Sequence, residues 1–277
     1  MKLIYTLTIL TLLLSFTNND SKLGIKKTKQ LENKIVKQKF QSILDSASIN
    51  GSILFYDLQE DKYYSNDFEW AKKGQLPAST FKIPNSIIAL ESGIIKNDST
   101  LLIWNGEKRR NKNWEQDLTF RDALHFSCVP CYQKIAKEIG VKKMRNYLDL
   151  FNYGIIKFDS TTIDNFWLEG DSRINQFQQI NFLKAFYQSQ LSISERTEKT
   201  MKRMMVIEDT NEFKISGKTG WSYTNEIDNG WFVGYIESHK KVYFFATNIS
   251  PKENSNINIF AESRINVTHR AFNEIEK

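Results

Sequence analysis

The spacing of apolar residues predicts helices near both ends of the chain, with strands beside them. Apolar positions recur at helical spacing from Leu31 to Ala47, and the last segment, from Ile259 to Lys277, has an amphipathic helical pattern. A strand at Ser52–Tyr56, a polar turn and a second strand around residues 63–64 predict a hairpin. The segment PASTFKIPNSIIALESGII, which begins at Pro77, predicts a helix that ends near a glycine.

The middle of the chain is poor in strand patterns and rich in helical periodicity. The segments with this periodicity are TFRDALHF, CYQKIAKEIGVKKMRNYLDLF and INQFQQINFLKAFYQSQ. Three strands separated by turns are then predicted at EFKISGKTGW, NGWFVGYIE and KVYFFATNI. This order predicts an α/β (α+β) fold, with an antiparallel sheet flanked by helices and an inserted all-helical lobe. We expect the sheet lobe at about 18–97 and 206–277, the helical lobe at about 98–205, and a site in the cleft between them.

The N-terminus predicts export. Lys2 is followed by an apolar run from Leu3 to Phe16, which is short for a membrane span and typical of a secretory signal. We therefore expect a signal peptide at 1–17 and a single mature domain at 18–277, located in the periplasm without stable membrane association. The alternative is that the apolar run stays as a membrane anchor.

Composition narrows the possible partners. Hydrophobic residues make up 40% and charged residues 25% of the 277 residues, which indicates a globular protein. The formal charge is +6, but no basic stripe is interleaved with aromatic residues, so we expect no nucleic-acid partner. A mildly basic surface favours small anionic ligands instead.

The two cysteines, Cys128 and Cys131, lie three residues apart in SCVPC. In an exported protein this spacing permits a disulfide or a redox pair. A zinc site needs about four ligands, and no second pair of cysteines or histidines has a matching spacing, so we expect no metal. We favour the interpretation that both are small apolar residues that line the core, and keep the disulfide as the alternative.

Ser79 and Lys82 are the first candidates for catalysis. Three residues apart on a helix, their side chains share one face. A serine hydroxyl needs a base to become a nucleophile, and a lysine can be that base when burial among apolar residues keeps its amine neutral. The histidines offer a poor alternative, because the nearest candidate, His125, is more typical of a packing or surface residue.

Two further motifs follow in order: Ser127-Cys128-Val129, and Lys218-Thr219-Gly220 leading into Trp221. S-x-x-K followed by a serine element and K-T-G is the signature of serine β-lactamases and penicillin-binding proteins. From about Gly51 to Phe272 the chain resembles the class D β-lactamases, the oxacillinases. FWLEG resembles the W-x-x-G segment of that family, and GWFVGYIE and VYFFATNI resemble its paired strands.

The resemblance implies a nucleophile, a base and no cofactor or metal. Ser79 is expected to be acylated by the substrate. Lys82 is expected to be carboxylated on its side-chain nitrogen (N6-carboxylysine), which requires CO₂ or bicarbonate. Trp167 is expected to hold the resulting carbamate through its indole N–H, which can only donate a hydrogen bond.

The resemblance also implies a substrate site. Ser127 would relay a proton to the lactam nitrogen with Lys218, and the backbone N–H groups of Ser79 and Trp221 would bind the oxyanion. The other residues expected at the substrate are Val129, Thr219, Gly220 and Arg264.

The sequence thus predicts a serine β-lactamase that hydrolyses penicillin-type β-lactams and confers antibiotic resistance, as a monomer or homodimer. The alternatives are a β-lactam sensor, which is acylated but does not turn over, and a penicillin-binding protein that acts on peptidoglycan. SCV and FWLEG argue against the latter. One departure from the family pattern is Ile155, where its Y-G-N motif has asparagine.

Overall fold

A computed structural model of the chain describes residues 33–239, 241–253 and 257–277. The predicted signal peptide, 1–17, lies outside the described residues. No helix in the part of the chain described is long and apolar enough to cross a membrane.

The centre of the described structure is one sheet of seven strands. Its strands are β1 (Lys34–Val36), β2 (Ile49–Asp57), β3 (Lys62–Ser65), β6 (Val206–Asp209), β7 (Phe213–Thr224), β8 (Ile227–Ser238) and β9 (Lys241–Pro251). They lie in the order β1-β3-β2-β9-β8-β7-β6. Two short strands, β4 (Leu101–Leu102) and β5 (Leu118–Thr119), form a separate antiparallel pair.

Strand pairing confirms the predicted hairpin and the three predicted C-terminal strands. β2 and β3 pair antiparallel, as do β7, β8 and β9. The edge strand β1 is the exception, because it runs parallel to β3 and places Ile35 opposite Tyr64. The predicted helix from Leu31 is therefore wrong at its start. Residues 34–36 bond to the otherwise open edge of β3, and the helix begins only at Gln38.

Helices cover both faces of the sheet. They are α1 (Gln38–Ser46), α2 (Phe68–Ala71), α3 (Lys82–Glu91), α4 (Phe120–His125), α5 (Val129–Ile139), α6 (Val141–Leu150), α7 (Gln176–Tyr187), α8 (Glu195–Met204) and α9 (Ile257–Ile275). Two 3₁₀ turns lie at Ala78–Phe81 and Lys112–Trp114. The long periodic segment that begins at Cys131 forms two helices, because Gly140 has a φ of +75° between α5 and α6.

The two faces of the sheet define two hydrophobic cores. Adjacent residues of β9 point in opposite directions, so Phe244 packs among the internal helices and Phe245 packs against α1 and α9. Helix α7 is tied to the sheet by Gln176, whose side-chain N–H donates to the carbonyl of Ser52 at 2.9 Å and to that of Ala246. The sheet is therefore covered on both sides, and α7 is fixed to the interior of β2 and β9.

Glycines let β7 and β8 approach each other closely. Gly217 lies opposite Gly234 in the antiparallel register. A Cβ atom on Gly234 would lie 2.1 Å from the carbonyl oxygen of Ser216 and 2.8 Å from the Cα of Gly217. Since both are backbone atoms, the strands could accept a side chain there only by separating.

We expect Gly234→Ala to lower the free energy of unfolding by about 3 kcal/mol through this overpacking. Gly93→Ala is the matched control: Gly93 has a φ of +73° but open space around it, so its substitution costs about 1 kcal/mol of backbone strain. Denaturant unfolding followed by circular dichroism measures both. Equal losses in the two variants would contradict the close approach of β7 and β8.

Candidate active site

The first part of the site is the turn that leads into α3. Ser79 lies in the 3₁₀ turn Ala78–Phe81 and is 8% exposed, whereas Lys82, the first residue of α3, is 1% exposed. The Nζ of Lys82 donates a hydrogen bond to the Oγ of Ser79 at 2.9 Å. Pro84 is tolerated because it is the third residue of α3, where a backbone N–H has no partner within the helix.

The surroundings of Lys82 favour a neutral amine. Burial lowers its pKa well below the usual lysine value, and the positive charge of Lys218 lowers it further. The Nζ lies 5.1 Å from the ring centroid of Tyr132. Among the described residues, no carboxylate lies within ion-pair distance of Lys82. A neutral amine next to a serine hydroxyl can accept a proton or react with an electrophile.

Trp167 is packed against the same turn and has a donor without an acceptor. Its ring is fully buried and stacks on Phe81, with centroids 5.4 Å apart. Its carbonyl accepts a hydrogen bond from the backbone N–H of Ala78 at 2.8 Å. The indole Nε1 is buried and has no hydrogen-bond partner in the described structure. Buried polar groups are normally paired, so this N–H indicates a place for an acceptor that the chain does not supply.

Strand β7 forms the opposite wall. A Cβ atom on Gly220 would lie 3.2 Å from the backbone nitrogen of Ser79, so glycine allows the strand to pass close to Ser79. Lys218 is 5% exposed, and its Nζ donates to the carbonyl of Thr219 at 2.9 Å. Burial lowers the pKa of Lys218 to about 7, helped by the positive charge of Arg264.

Arg264 reaches this wall from α9. Its Nη1 donates to the carbonyl of Gly220 at 2.6 Å, and its guanidinium lies 5.6 Å from the ring centroid of Trp221. Burial lowers its pKa to about 10, so it remains a cation at neutral pH. The contact depends on Gly230, where a Cβ atom would lie 3.0 Å from the Cδ of Arg264 and closer to Phe260. Gly230 lies within the predicted strand NGWFVGYIE, and the strand pattern alone does not indicate this contact.

The loop between α4 and α5 brings Ser127 and Val129 to the cleft. Ser127 has a φ of +54°, which is uncommon for a residue with a side chain and is often found at functional sites. Its hydroxyl makes no hydrogen bond to Ser79, Lys82 or Lys218 in the described structure. The structure therefore places Ser127 in the same cleft, without a hydrogen bond to either lysine in the part of the chain described.

Cys128 and Cys131 form a disulfide, so the favoured interpretation of two unlinked core residues is wrong. The first turn of α5 brings their Cα atoms to 5.4 Å, within the usual range for a disulfide. Cys128 also caps the helix, because its sulfur accepts from the backbone N–H of Cys131 at 3.3 Å. The bridge therefore ties the residue after Ser127 to α5.

These elements enclose a cleft of about 1370 Å³. The predicted residues that line it are Ser79, Ser127, Val129, Thr219, Gly220, Trp221 and Arg264. Lys82, Trp167 and Lys218 are buried immediately behind this lining. His125 is exposed, and its ring nitrogen lies 2.8 Å from the carbonyl of Met204, which fits a surface or packing role.

Two buried polar residues near Lys82 were not among the predicted site residues. Tyr132 faces the amine with its ring, while its hydroxyl lies 2.7 Å from the Oγ of Ser86. Asn85 is fully buried, and neither polar atom of its side chain has a partner in the part of the chain described. Its place three residues after Lys82, on the same face of α3, was the only signal available.

Comparison with known proteins shows the family. The model of the penicillin-binding-protein transpeptidase domain matches residues 48–275. The β-lactamase OXA-10 of Pseudomonas aeruginosa is 42% identical over 205 residues, which are 73% of this chain and 77% of that protein.

Solved structures agree. A class D β-lactamase from Sebaldella termitidis superposes with a TM-score of 0.84 at 36% identity, over 88% of this chain and 98% of the other. A class D β-lactamase from Nostoc superposes with a TM-score of 0.82 at 38% identity, over 87% of this chain and 99% of the other.

The fold and the serine–lysine site define a penicillin-recognising serine enzyme of the β-lactamase and transpeptidase fold. Within that class, the chain belongs to the class D β-lactamases. The predicted family, fold class and hydrolase activity are thereby confirmed.

We expect Arg264→Gln to raise the pKa of Lys218 above about 7, because it removes the nearby positive charge. The pKa should stay below the ordinary lysine value of 10.5, since burial is the larger cause of the shift. NMR titration of protein labelled with ¹³C at the lysine Cε atoms measures it. Arg270→Gln is the control, because Arg270 lies exposed on the same helix and donates to the Oγ of Ser46. An unchanged pKa in Arg264→Gln, or an equal rise in the control, would contradict the assigned cause.

Proposed function

We propose that this β-lactamase opens penicillin-type substrates in two acyl-transfer steps, with Ser79 as the nucleophile and carboxylated Lys82 as the residue that bears the general base. The observation that supports this most is the 2.9 Å hydrogen bond between the Nζ of Lys82 and the Oγ of Ser79 in a buried, apolar setting. Burial lowers the pKa of Lys82 well below the usual lysine value, which favours the form of its amine that has a free electron pair.

The residues around Lys82 fit a carboxyl group on its nitrogen. A neutral amine can attack the carbon of CO₂, form an N–C bond and lose a proton. The modified side chain would supply an anionic oxygen as general base. Trp167 offers a buried indole N–H that has no acceptor in the described structure, and we propose that it donates to this group.

In the first step, the Oγ of Ser79 attacks the lactam carbonyl carbon as its proton leaves toward Lys82. The C–N bond of the four-membered ring breaks, and an ester to Ser79 forms. We propose that Ser127 and Lys218 deliver the proton that the departing nitrogen takes up. The backbone N–H groups of Ser79 and Trp221 would stabilise the oxyanion.

In the second step, water attacks the ester carbonyl carbon and Ser79 is released. The carboxyl group proposed on Lys82 would take a proton from this water and return it to the Oγ of Ser79 as the ester C–O bond breaks, since the Nζ of Lys82 lies 2.9 Å from that Oγ. One residue would then serve both steps, which explains how the site can work without a second carboxylate base.

Recognition of the substrate carboxylate is assigned to the cationic wall. Arg264 and the Lys218–Thr219 pair provide positive charge and a hydroxyl at the cleft. Val129 would form an apolar wall beside Lys82.

We further propose that residues 1–17 direct export to the periplasm, that the enzyme confers resistance to β-lactams, and that it is a monomer or a homodimer. Detection of the mature chain in a periplasmic extract tests the first of these.

We expect the wild-type protein to hydrolyse a chromogenic penicillin-type β-lactam continuously. Activity should fall after exposure to acid, because protonation favours loss of CO₂, and return when bicarbonate is added at neutral pH. Lys82→Ala should lower kcat by about 10³-fold or more, through loss of the general base. Stopped-flow and steady-state absorbance measure both. Release of one equivalent of product followed by no turnover in the wild type would instead favour the sensor.

Trp167→Phe tests the indole donor while keeping the stacking on Phe81. We expect this variant to need more bicarbonate for half-maximal activity and to show a weaker carbamate signal by ¹³C NMR in ¹³C-bicarbonate. Trp70→Phe is the control, because the indole N–H of Trp70 donates to the Oδ1 of Asn248, outside the cleft lining. A carbamate signal of wild-type strength in Trp167→Phe would refute the role of Trp167.

A further inference from the structure

A short cationic segment, Lys108 to Lys112, lines the same cleft as Ser79. Lys108, Arg110 and Lys112 are exposed, and we call these three residues the basic rim. None of the catalytic or carboxylate-binding roles assigned above uses them. They add three positive charges at the entrance to a site whose substrates are anions.

The backbone of this segment is held in place beside Ser127. The backbone N–H of Arg109 donates to Glu115 Oε1 at 2.8 Å. The indole N–H of Trp114, in the 3₁₀ turn that follows, donates to the carbonyl of Phe126 at 2.8 Å. The basic rim is therefore anchored to the loop that carries Ser127, on the helical side of the cleft.

The charges of the basic rim are not neutralised within the described residues. Arg109 donates to Asn105 and lies 3.8 Å from Glu107, but Lys108, Arg110 and Lys112 have no carboxylate within ion-pair distance. The acidic residues that line the cleft are Glu169 and Asp228. Asp228 accepts a hydrogen bond from the indole of Trp221 at 2.6 Å, and Glu169 lies 3.5 Å from the side-chain nitrogen of Asn165.

The basic rim and the carboxylate-binding wall lie on different elements. Lys218 and Arg264 belong to β7 and α9, whereas the basic rim follows the short strand β4 on the helical side. In a penicillin, the ring carboxylate and the acylamino side chain leave the bicyclic core at opposite ends. A substrate whose ring carboxylate binds at Arg264 therefore directs its side chain away from that wall. The cleft, at about 1370 Å³, exceeds the roughly 300–1000 Å³ of most small-ligand sites and leaves room for it.

We propose that the basic rim selects β-lactams that carry a second anionic group on the acyl side chain, such as an α-carboxylate. This inference rests on the proposed placement of the substrate, with its carbonyl at Ser79 and its ring carboxylate at Arg264. The basic rim attracts the second anion during approach and holds it in the complex, an effect that salt weakens because these cations are exposed.

The test compares benzylpenicillin with its α-carboxy derivative, which differ only by the second carboxylate. The variant Lys108→Gln/Arg110→Gln/Lys112→Gln replaces the three cations with neutral polar side chains and leaves the anchoring bonds of Arg109 and Trp114 intact. We expect the ratio of kcat/KM for the dianionic over the monoanionic substrate to fall about tenfold in this variant, from three partly exposed charge interactions. In the wild type, the same ratio should fall as sodium chloride is raised from 20 to 500 mM, because this change shortens the Debye length from above roughly 20 Å to about 4 Å.

The matched control is Lys96→Gln/Lys142→Gln/Lys143→Gln, which removes three exposed lysines outside the cleft lining. It should leave the ratio unchanged. An unchanged ratio in the rim variant, or an equal fall in the control, would overturn the proposed selectivity. Hydrolysis of benzylpenicillin by the wild type would still support the proposed function. Failure of the wild type to hydrolyse either substrate would overturn both.

Discussion

The burial of one amine, that of Lys82, is the constraint on which the rest of the site depends. An isolated ammonium is expensive to bury, because the interior cannot replace its hydration. The structure avoids this cost by favouring the neutral form, through an apolar setting and the positive charge of Lys218. Phe81 and Trp167 pack around the turn, and the covered faces of the sheet keep water out. The same burial that would destabilise a charged lysine makes its amine reactive.

The sheet is shaped around this turn by residues that lack side chains. Gly220 lets β7 pass next to the backbone of Ser79, and Gly230 gives α9 room to bring Arg264 behind the same strand. Gly217 and Gly234 bring β7 and β8 together beneath them. A side chain at any of these positions would displace backbone or a functional residue. These close approaches position the site residues together with the hydrogen bonds that Lys218 and Arg264 donate to backbone carbonyls of β7.

The sequence predicted the site best in segments where a chemical motif lies within a clear strand or helix pattern. The alternation in β7–β9 and the helical spacing of α3 and α7 predicted the elements around the cleft, and S-x-x-K and K-T-G identified Ser79, Lys82 and Lys218 as neighbours. Short edge strands were missed, because β1 and β6 are three or four residues long and owe their form to a neighbouring strand. The turn between β7 and β8 places Asn225 and Glu226 at positive φ, and neither residue is the glycine that would have predicted such a turn. The Cys128–Cys131 disulfide depends on where a helix begins, which spacing alone does not decide.

Besides burial, repulsion between neighbouring positive charges shifts the pKa values in the site. Arg264 remains cationic and lowers the pKa of Lys218, and Lys218 in turn lowers that of Lys82. Such groups titrate as a coupled set, so adding an anion at either end changes the others. A substrate carboxylate near Arg264 would raise the proton affinity of Lys218. An anionic group on Lys82 would do the same from the other end, replacing a repulsion between two lysines with an attraction. The cationic wall would thus favour both the anionic substrate and the anionic base proposed at Lys82.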